Sequence, residues 1–191
     1  MSQQVEKILQ EADALLNGHF LYTSGRHGAQ YMQCAKVQQY PQHMEAIAKI
    51  VAQGFAGEKV DYVLAPAIGG IVFGYELARQ LGAKAIFTER VEGNMTLRRG
   101  FALQAGERVI VAEDVYTTGG TVREVIALAK SLGAEVVGAG LIVDRSGGNM
   151  DLGVRAVAAL TANIASYAPE DCPLCKEGLP LVKPGSRTTA S

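Results

Sequence analysis

Several features that would assign this 191-residue chain to other protein classes are scarce or missing. The chain has only three cysteines, an odd number that argues against a disulfide framework. No apolar run approaches the roughly 18 residues that a membrane-spanning helix needs, so no membrane partner is expected. The formal net charge is −1, without a stripe of lysine and arginine, so nucleic acid is not expected as a partner.

Familiar targeting and nucleotide-binding signals are also absent. The N-terminus lacks a charged segment followed by an apolar one, so we expect no signal peptide and a cytoplasmic location. No G-x-x-x-x-G-K-[ST] loop occurs, and no G-x-G-x-x-G motif follows the first predicted strand. Glycine, by contrast, is abundant at 22 residues, which favours the tight turns and close backbone approaches of α/β ligand-binding folds.

The apolar pattern predicts one α/β domain. Amphipathic spacing predicts a helix over residues 2–17, and Pro41 begins a second helix that extends to about residue 56. Beyond residue 60, short apolar runs alternate with helical segments. Strands are predicted at 60–66, 83–89, 108–114, 135–145 and 155–160, and helices at 68–82 and 119–132. This alternation predicts a mostly parallel sheet with helices on both faces.

Four loops are expected to form the binding site. In parallel α/β sheets a ligand binds beyond the carboxyl ends of the strands. The loops at 66–70, 90–100, 114–121 and 144–148 should therefore converge at one edge.

The segment VIVAEDVYTTGGT, residues 109–121, carries the clearest chemical signal. Glu113 and Asp114 are predicted at the carboxyl end of a buried strand, where they could accept hydrogen bonds from the vicinal hydroxyls of a ribose. Gly119 and Gly120 let an anion approach the first turn of the next helix, which has free N–H groups and partial positive charge. Three hydroxyl donors accompany them: Thr117, Thr118 and Thr121. The segment thus predicts a phosphoribosyl site. The simpler alternative is a helix cap, since Thr121 and Glu124 have capping-box spacing.

This segment resembles the phosphoribosyl diphosphate (PRPP) signature of type I phosphoribosyltransferases. Other segments resemble orotate phosphoribosyltransferases in particular: GHFLYTSGRHGAQY near the N-terminus, APAIGGIVFGYELARQLG in the diphosphate loop, FTERVEGNMTLRRGF in the mobile loop, LIVDRSGG, and YAPEDCPLCKEGLPL near the C-terminus. The resemblance covers nearly the whole chain in order.

The resemblance implies a fold and a reaction. The fold is α/β, with a mostly parallel five-stranded core sheet flanked by helices over about residues 41–165. An N-terminal hood is formed by residues 1–40 with a C-terminal segment, and a flexible tail covers about 181–191. The reaction transfers 5-phosphoribosyl from PRPP to orotate, giving orotidine 5′-monophosphate and diphosphate in pyrimidine biosynthesis. It implies Mg²⁺, held mainly by PRPP, and a homodimer whose catalytic loop is shared across the interface.

The resemblance also implies roles for particular residues. The catalytic set is Arg90, Glu113 and Asp114. PRPP binding is implied for Arg90, Gly69, Gly70, Glu113, Asp114, Val115, Tyr116, Thr117, Thr118, Gly119, Gly120 and Thr121. Orotate binding is implied for Thr117, Arg145, Ser24 and Gly25, with Arg145 pairing with the substrate carboxylate through a bidentate fork.

The sequence departs from the family pattern in two loops. Glycines stand at 69 and 70, where some relatives place a lysine. In the mobile loop, Val91 stands where a lysine is usual and there is no histidine. Arg98 or Arg99 could therefore supply the positive charge there, so the sequence leaves open which arginine assists diphosphate departure.

The pair Cys172-x-x-Cys175 has no second pair of cysteines with it, because only Cys34 is left over. Packing is the favoured interpretation of the pair, and metal binding and redox chemistry remain alternatives.

Two other functions remain open. The first is the same reaction on another base, such as a purine, which lacks a carboxylate for Arg145 to pair with. The second is a PRPP-sensing regulator that binds nucleic acid without catalysis, which the near-neutral charge disfavours.

Overall fold

The computed structural model describes residues 2–22 and 24–184. The helices are α1 (Ser2–Glu11), α2 (Cys34–Gln38), α3 (Pro41–Gln53), α4 (Gly69–Leu81), α5 (Gly120–Ser131) and α6 (Pro173–Lys176), with a 3-10 turn at Pro169–Asp171. The strands are β1 (Leu15–Leu21), β2 (His27–Met32), β3 (Tyr62–Pro66), β4 (Lys84–Val91), β5 (Asn94–Leu97), β6 (Arg108–Tyr116), β7 (Glu135–Asp144), β8 (Ala156–Thr161) and β9 (Ser166–Tyr167).

The main sheet confirms the predicted architecture. Its strand order is β5-β4-β3-β6-β7-β8, and the five strands other than β5 pair in parallel. The sixth strand, β5, pairs with β4 in an antiparallel hairpin. Strand order reverses between β3 and β6, which is where open α/β sheets bind ligands.

Strand alternation divides the core between the two faces of the sheet. Val63 and Ile110 contribute to the cluster under α1, α3 and α4. Leu64 and Val111, their sequence neighbours, contribute to the cluster under α5. Burial on both faces explains why the strands are continuously apolar. Within the two described ranges, no helix is long and apolar enough to cross a bilayer.

A second sheet joins the two ends of the chain. Its order is β1-β2-β9, all antiparallel. Val182 adds an isolated bridge to Phe20, and its N–H donates to the carbonyl of His19 at 2.8 Å. The predicted hood falls on this sheet, although its boundaries stay a prediction. The predicted tail begins near residue 181, and residues 185–191 lie outside the described part.

The first predicted helix is too long. It ends at Glu11, and Leu15 and Leu16 pair with Met32 and Tyr31 in the β1–β2 ladder. Both leucines fit a helical stripe, but they also fit a strand, and Asp13 reverses the chain with φ of 49°. Tertiary pairing therefore overrides the local helical pattern here.

Candidate active site

The site opens where two neighbouring strands diverge. β3 pairs with β6 only as far as Val111, whereas β7 pairs with β6 as far as Tyr116. The last residues of β6 therefore keep one neighbour and face the 66–70 loop on the other side. Because β6 runs to Tyr116, the predicted strand end at residue 114 is two residues too early, and the two acids lie inside the strand.

Glu113 and Asp114 form a closely coupled acid pair. Glu113 is buried, at 8% exposure, and its carboxylate accepts a hydrogen bond from the N–H of Asp114 at 3.1 Å. Asp114 is half-buried and accepts from the N–H of Val115 at 2.7 Å. Burial, and then the neighbouring Asp114 charge, raise the pKa of Glu113 to about 9. Without a ligand, Glu113 therefore tends to keep its proton. Both carboxylates could be negatively charged together only if a hydrogen-bond donor or a cation lay beside them.

The glycines of the 67–70 loop are required by the closeness of this pair. A Cβ atom on Gly69 would lie 2.9 Å from Oδ2 of Asp114, and one on Gly70 would lie 2.9 Å from the carbonyl of Ala112. Gln38 of α2 donates to the carbonyl of Gly69 at 2.9 Å, which fixes the loop. The Ala67–Ile68 peptide in this loop is cis.

The 117–121 loop leads into the amino end of α5. Gly119 adopts φ of 76°, and a Cβ atom there would lie 2.4 Å from the ring of Tyr116. Thr117, Thr118 and Gly120 are exposed and Thr121 is half-buried. The capping-box alternative is wrong, because α5 begins after Gly119 and no side chain caps it. The first N–H groups of the helix are thus left for an anion.

The side chain that would have completed the capping box has another partner. Glu124 accepts from Nη2 of Arg90 at 2.7 Å. Arg90, near the end of β4, also donates to the carbonyl of Gly93. The structure therefore brings the predicted catalytic arginine next to the first turns of α5.

Sequence reasoning missed Arg123, which shapes the 117–121 loop. Its guanidinium donates to the carbonyls of Thr118 at 2.5 Å and Asp151 at 2.9 Å, and lies 3.4 Å from the hydroxyl of Tyr116. Tyr116 itself is buried, so its side chain supports the loop from below. Because one of these carbonyls lies in the loop before the helix and the other 28 residues further along the chain, no sequence pattern reveals the role of Arg123.

Arg145 has an unsatisfied donor. Its Nε is the buried side-chain polar atom that lacks a hydrogen-bond partner among the described residues. Buried donors are normally paired, so this one points to a missing acceptor. The guanidinium stacks on the ring of Tyr22, with Cζ 4.7 Å from the ring centroid. Tyr22, which sequence reasoning also missed, lies over Gly28 and donates to the carbonyl of Gln30 at 2.5 Å.

Asp144 closes the turn that carries Arg145. It is fully buried, and its carboxylate accepts from the N–H and hydroxyl of Ser146 at 2.7 and 2.6 Å and from the N–H of Gly148 at 2.9 Å. The Arg145 N–H donates to the carbonyl of Tyr116 at 2.9 Å, which links this loop to the end of β6. The buried acid of the DRSGG segment therefore has a structural role in this turn. From the sequence, a role is predicted only for the arginine that follows it.

The predicted orotate residues Ser24 and Gly25 form an exposed turn beyond Tyr22. The Gly25 N–H donates to the carbonyl of Tyr22 at 2.9 Å, and the Tyr22 N–H donates to the carbonyl of Arg26 at 2.8 Å. Arg26 fastens this turn to β9 through Ser166, with Nε 2.9 Å from the hydroxyl. The turn is thus placed next to the ring on which Arg145 stacks.

The 90–100 segment is a tight hairpin. Glu92 and Gly93 turn it with φ of 49° and 85°. Arg99 donates to both carboxylate oxygens of Glu89 at 2.9 Å, which lowers the pKa of that half-buried acid. Arg98 is exposed and, among the described residues, makes no side-chain hydrogen bond.

The charges of the site act on the buried thiol of Cys34. Burial raises the pKa of Cys34 well above its usual value, the charges of Asp114 and Glu113 raise it further, and that of Arg145 lowers it. The Arg145 N–H also donates to the carbonyl of Tyr116, two residues after Asp114, so this arginine begins its loop close to the predicted ribose acids. Cys34 itself is buried in the core cluster.

Comparison with known proteins gives the same assignment. The family model described as a phosphoribosyl transferase domain matches residues 35–152. This range contains the 67–70 loop, the β4–β5 hairpin, the acid pair and Arg145.

Relatives extend the match to nearly the whole chain. An orotate phosphoribosyltransferase of Pelotomaculum thermopropionicum is 54% identical over 96% of this chain and 97% of its own. One from Caldanaerobacter subterraneus is 52% identical over 97% of each chain. The crystal structure of an orotate phosphoribosyltransferase from Aeropyrum pernix is similar with a TM-score of 0.70 and 26% identity, covering 82% of this chain and 93% of that one. The protein therefore belongs to the orotate phosphoribosyltransferase family.

Proposed function

We propose that the protein transfers the 5-phosphoribosyl group of PRPP to orotate, a step of pyrimidine biosynthesis. The observation that carries this proposal is the unpartnered Arg145 Nε, held beside an acid pair and an uncapped helix N-terminus. The carboxylate of a base would accept a hydrogen bond from the arginine. The hydroxyls of a phosphorylated sugar would bond to the acid pair, and its phosphate would bind at the helix N-terminus. The family membership of the chain supports both halves.

The 5′-phosphate binds in the 117–121 loop. The amino end of α5 offers free N–H groups and partial positive charge, and the threonine hydroxyls add donors. Arg123 supports this binding as a positioning residue, because it fixes the carbonyl of Thr118.

The acid pair binds the ribose hydroxyls. Asp114 and Glu113 accept hydrogen bonds from the two hydroxyls, and their negative charge favours positive charge on the ribose ring. The diphosphate lies against the 67–70 loop, where Gly69 is exposed, and the missing Cβ atoms of Gly69 and Gly70 let this loop pack closely against β6 and the acid pair.

The oxygen donors of this site fit Mg²⁺, which prefers oxygen ligands and retains water or substrate oxygens. The diphosphate and ribose hydroxyls would hold most of the ion, beside Asp114. When bound, Mg²⁺ neutralises negative charge on the leaving diphosphate.

Orotate binds between Arg145 and the Ser24–Gly25 turn. Its carboxylate pairs with the guanidinium, which stacks on Tyr22 and belongs to the turn that Asp144 closes, and Thr117 lies near the base. The ring nitrogen of orotate gives up its proton to the departing diphosphate and forms a bond to C1 of the ribose, while the bond from C1 to the diphosphate oxygen breaks. The transition state resembles an oxocarbenium ion, so the fixed charge of the acid pair is the main electrostatic contribution.

A homodimer with a shared loop completes the site. Val72 and Tyr75, 45% and 68% exposed, lie on one face of α4, and Ile68, 85% exposed, precedes the helix in the diphosphate loop. An exposed apolar stripe of this kind favours contact with a second copy. The β4–β5 hairpin supplies Arg90 to PRPP, and the exposed Arg98 is available to the neighbouring site.

Steady-state kinetics of Arg145→Ala test the proposal. Loss of a hydrogen-bonded charge pair is worth roughly 1.5–3 kcal/mol, so the KM for orotate should rise about 10-fold to 100-fold. The KM for PRPP should change less than about 3-fold. Arg155→Ala is the matched control, because Arg155 also stacks on an aromatic ring, that of Phe55, in another part of the fold. Equal weakening of both substrates by Arg145→Ala would contradict the assignment.

A further inference from the structure

Four potential metal ligands meet outside the active site. His19 lies on β1, His27 on β2, and Cys172 and Cys175 flank the start of α6. Each offers one ligand atom, and all four atoms lie within 4.8 Å of one another. The proposed transferase reaction uses none of these side chains.

Four of the six separations between the ligand atoms are close to those around one tetrahedral ion. With metal–nitrogen bonds of about 2.0–2.1 Å and metal–sulfur bonds of about 2.3 Å, nitrogen–nitrogen separations should be about 3.3 Å and nitrogen–sulfur separations about 3.6 Å. Nε2 of His19 lies 3.2 Å from Nδ1 of His27, and the latter lies 3.2 Å from Sγ of Cys175. Sγ of Cys172 and Sγ of Cys175 lie 3.5 and 3.6 Å from Nε2 of His19.

The outer contacts also suit a metal ligand. Nδ1 of His19 lies 2.8 Å from the carbonyl of Leu179. A carbonyl can only accept, so it holds the ring proton on Nδ1 and directs the lone pair of Nε2 into the cluster. Metal-binding histidines usually have such a partner on the second nitrogen. Nε2 and Nδ1 of the two histidines then face each other, an arrangement that a shared cation stabilises.

Burial and ligand type indicate a structural rather than catalytic ion. His19, His27 and Cys172 are 3%, 6% and 0% exposed, and only Cys175 is on the surface. A closed set of two cysteines and two histidines is typical of structural zinc, since thiolate and imidazole both suit Zn²⁺. The Cys172-x-x-Cys175 spacing also matches the usual cysteine pair of such sites.

We propose that His19, His27, Cys172 and Cys175 bind one Zn²⁺ ion that fastens the C-terminal segment to the β1–β2 hairpin. The ligands on the two sides are about 150 residues apart, so the ion would close a very long loop. The C-terminal segment continues along β1 to Val182, which bonds to His19 and Leu21 through its backbone. The hairpin ends at Tyr22, which contacts Arg145, so the ion would also stabilise the orotate side of the active site.

Metal analysis of the full chain, purified without a histidine tag and dialysed, is the first test. We expect one zinc ion per chain by elemental mass spectrometry. Substitution with Co²⁺ should give the strong visible absorption of a tetrahedral ion, with thiolate charge-transfer bands in the near ultraviolet. Substoichiometric zinc in protein produced with ample zinc would overturn the proposal.

The chain provides matched controls for the ligands, since it has three cysteines and three histidines and two of each lie in the cluster. Cys175→Ser, at the exposed ligand, should lower zinc affinity by at least about 100-fold, the upper end of the loss from an outer-shell change. Cys34→Ala and His43→Gln should retain the ion. Zinc that survives Cys175→Ser would place the ion elsewhere and overturn the proposal.

Two further results would also overturn it. Intact mass lower by two hydrogens, with no titratable thiol at Cys172 and Cys175, would show a disulfide in place of the metal pair. Free thiols with no bound zinc would show a hydrogen-bonded cluster that only packs.

A zinc-selective chelator should lower the Tm of the parent chain and leave the Tm of Cys175→Ser unchanged. Because metal content and Tm are measured without substrate, failure of the proposed transferase function would not affect these results.

Discussion

At the scale of single residues, Glu113 and Asp114 show how the fold prepares charge before substrate arrives. Two adjacent acids on β6 face a loop with no side-chain atoms at Gly69 and Gly70, and one acid is buried. In the protein without ligand it is unfavourable for both acids to be ionised, and the pKa of Glu113 is raised for this reason. A ribose with positive charge and an associated cation would relieve that cost in the transition state.

Replacement of Asp114 by asparagine should reduce kcat by about 100-fold or more with little effect on folding. Asparagine keeps an oxygen to accept from the N–H of Val115 but loses the charge. Steady-state rates and thermal unfolding would be compared with Asp61→Asn. Asp61 accepts from the Arg108 N–H at the opposite end of the sheet, so its loss should change Tm more than turnover. A fully active Asp114→Asn enzyme would remove this residue from the catalytic set.

Glu113 predicts a pH dependence of stability. Because its pKa in the folded chain is raised from 4.5 to about 9, the folded chain retains a proton that the unfolded chain releases. This contribution to stability is complete below about pH 4.5 and is lost as the pH rises through about 9. Glu113→Gln imitates the protonated acid, so the variant should gain stability over the parent chain as the pH rises.

Urea unfolding without ligands, at about pH 5.5 and about pH 8.5, measures this difference. The free energy of unfolding should fall more in the parent chain than in Glu113→Gln. Parallel pH profiles for the two proteins would mean that Glu113 ionises normally in the fold.

At the scale of elements, the apolar pattern predicts helices and strands best where its periodicity agrees with the burial of the residues. Helices α3, α4 and α5 and the five parallel strands were predictable because one apolar stripe or one apolar run decides each of them. Leu15 and Leu16 were assigned to a helix because their spacing suits both structures, and only pairing with β2 decides between them. Residues 90–100 are predicted as a loop, whereas most of them form the β4–β5 hairpin, and the pairing of Arg90 with Glu124 needs the fold.

The α4 surface predicts self-association. Val72→Glu should dissociate the proposed dimer, because the new charge would lie within the apolar stripe beside Ile68 and Tyr75. Sedimentation velocity at about micromolar concentration measures the change. Leu132→Glu is the control, since Leu132 has a similar exposure, 40% against 45%, at the far end of α5. A monomeric parent chain, or a Val72→Glu chain that stays dimeric, would contradict this interface.

At the scale of the whole molecule, what the sequence could predict depended on separation along the chain. The acid pair and the phosphate loop lie within one segment of nine residues, 113–121, so their pattern was visible. The histidine and cysteine cluster was not, because β1, β2 and the C-terminal segment meet only after folding. Tyr22 was missed for the same reason, since it meets Arg145 only in the fold. Asp144 is adjacent to Arg145 in sequence, but its role depends on burial and on the turn through Ser146 and Gly148.

The central claim is that orotate is the base, and a base panel tests it most directly. The purified protein would be mixed with PRPP and Mg²⁺, and orotate, uracil, adenine or hypoxanthine would be added in turn while the ultraviolet absorbance of each base is followed. We predict that orotate alone is consumed and that chelation of Mg²⁺ abolishes the reaction. Consumption of another base, with orotate unchanged, would contradict the carboxylate role of Arg145, and no consumption of any base would contradict the transferase assignment itself.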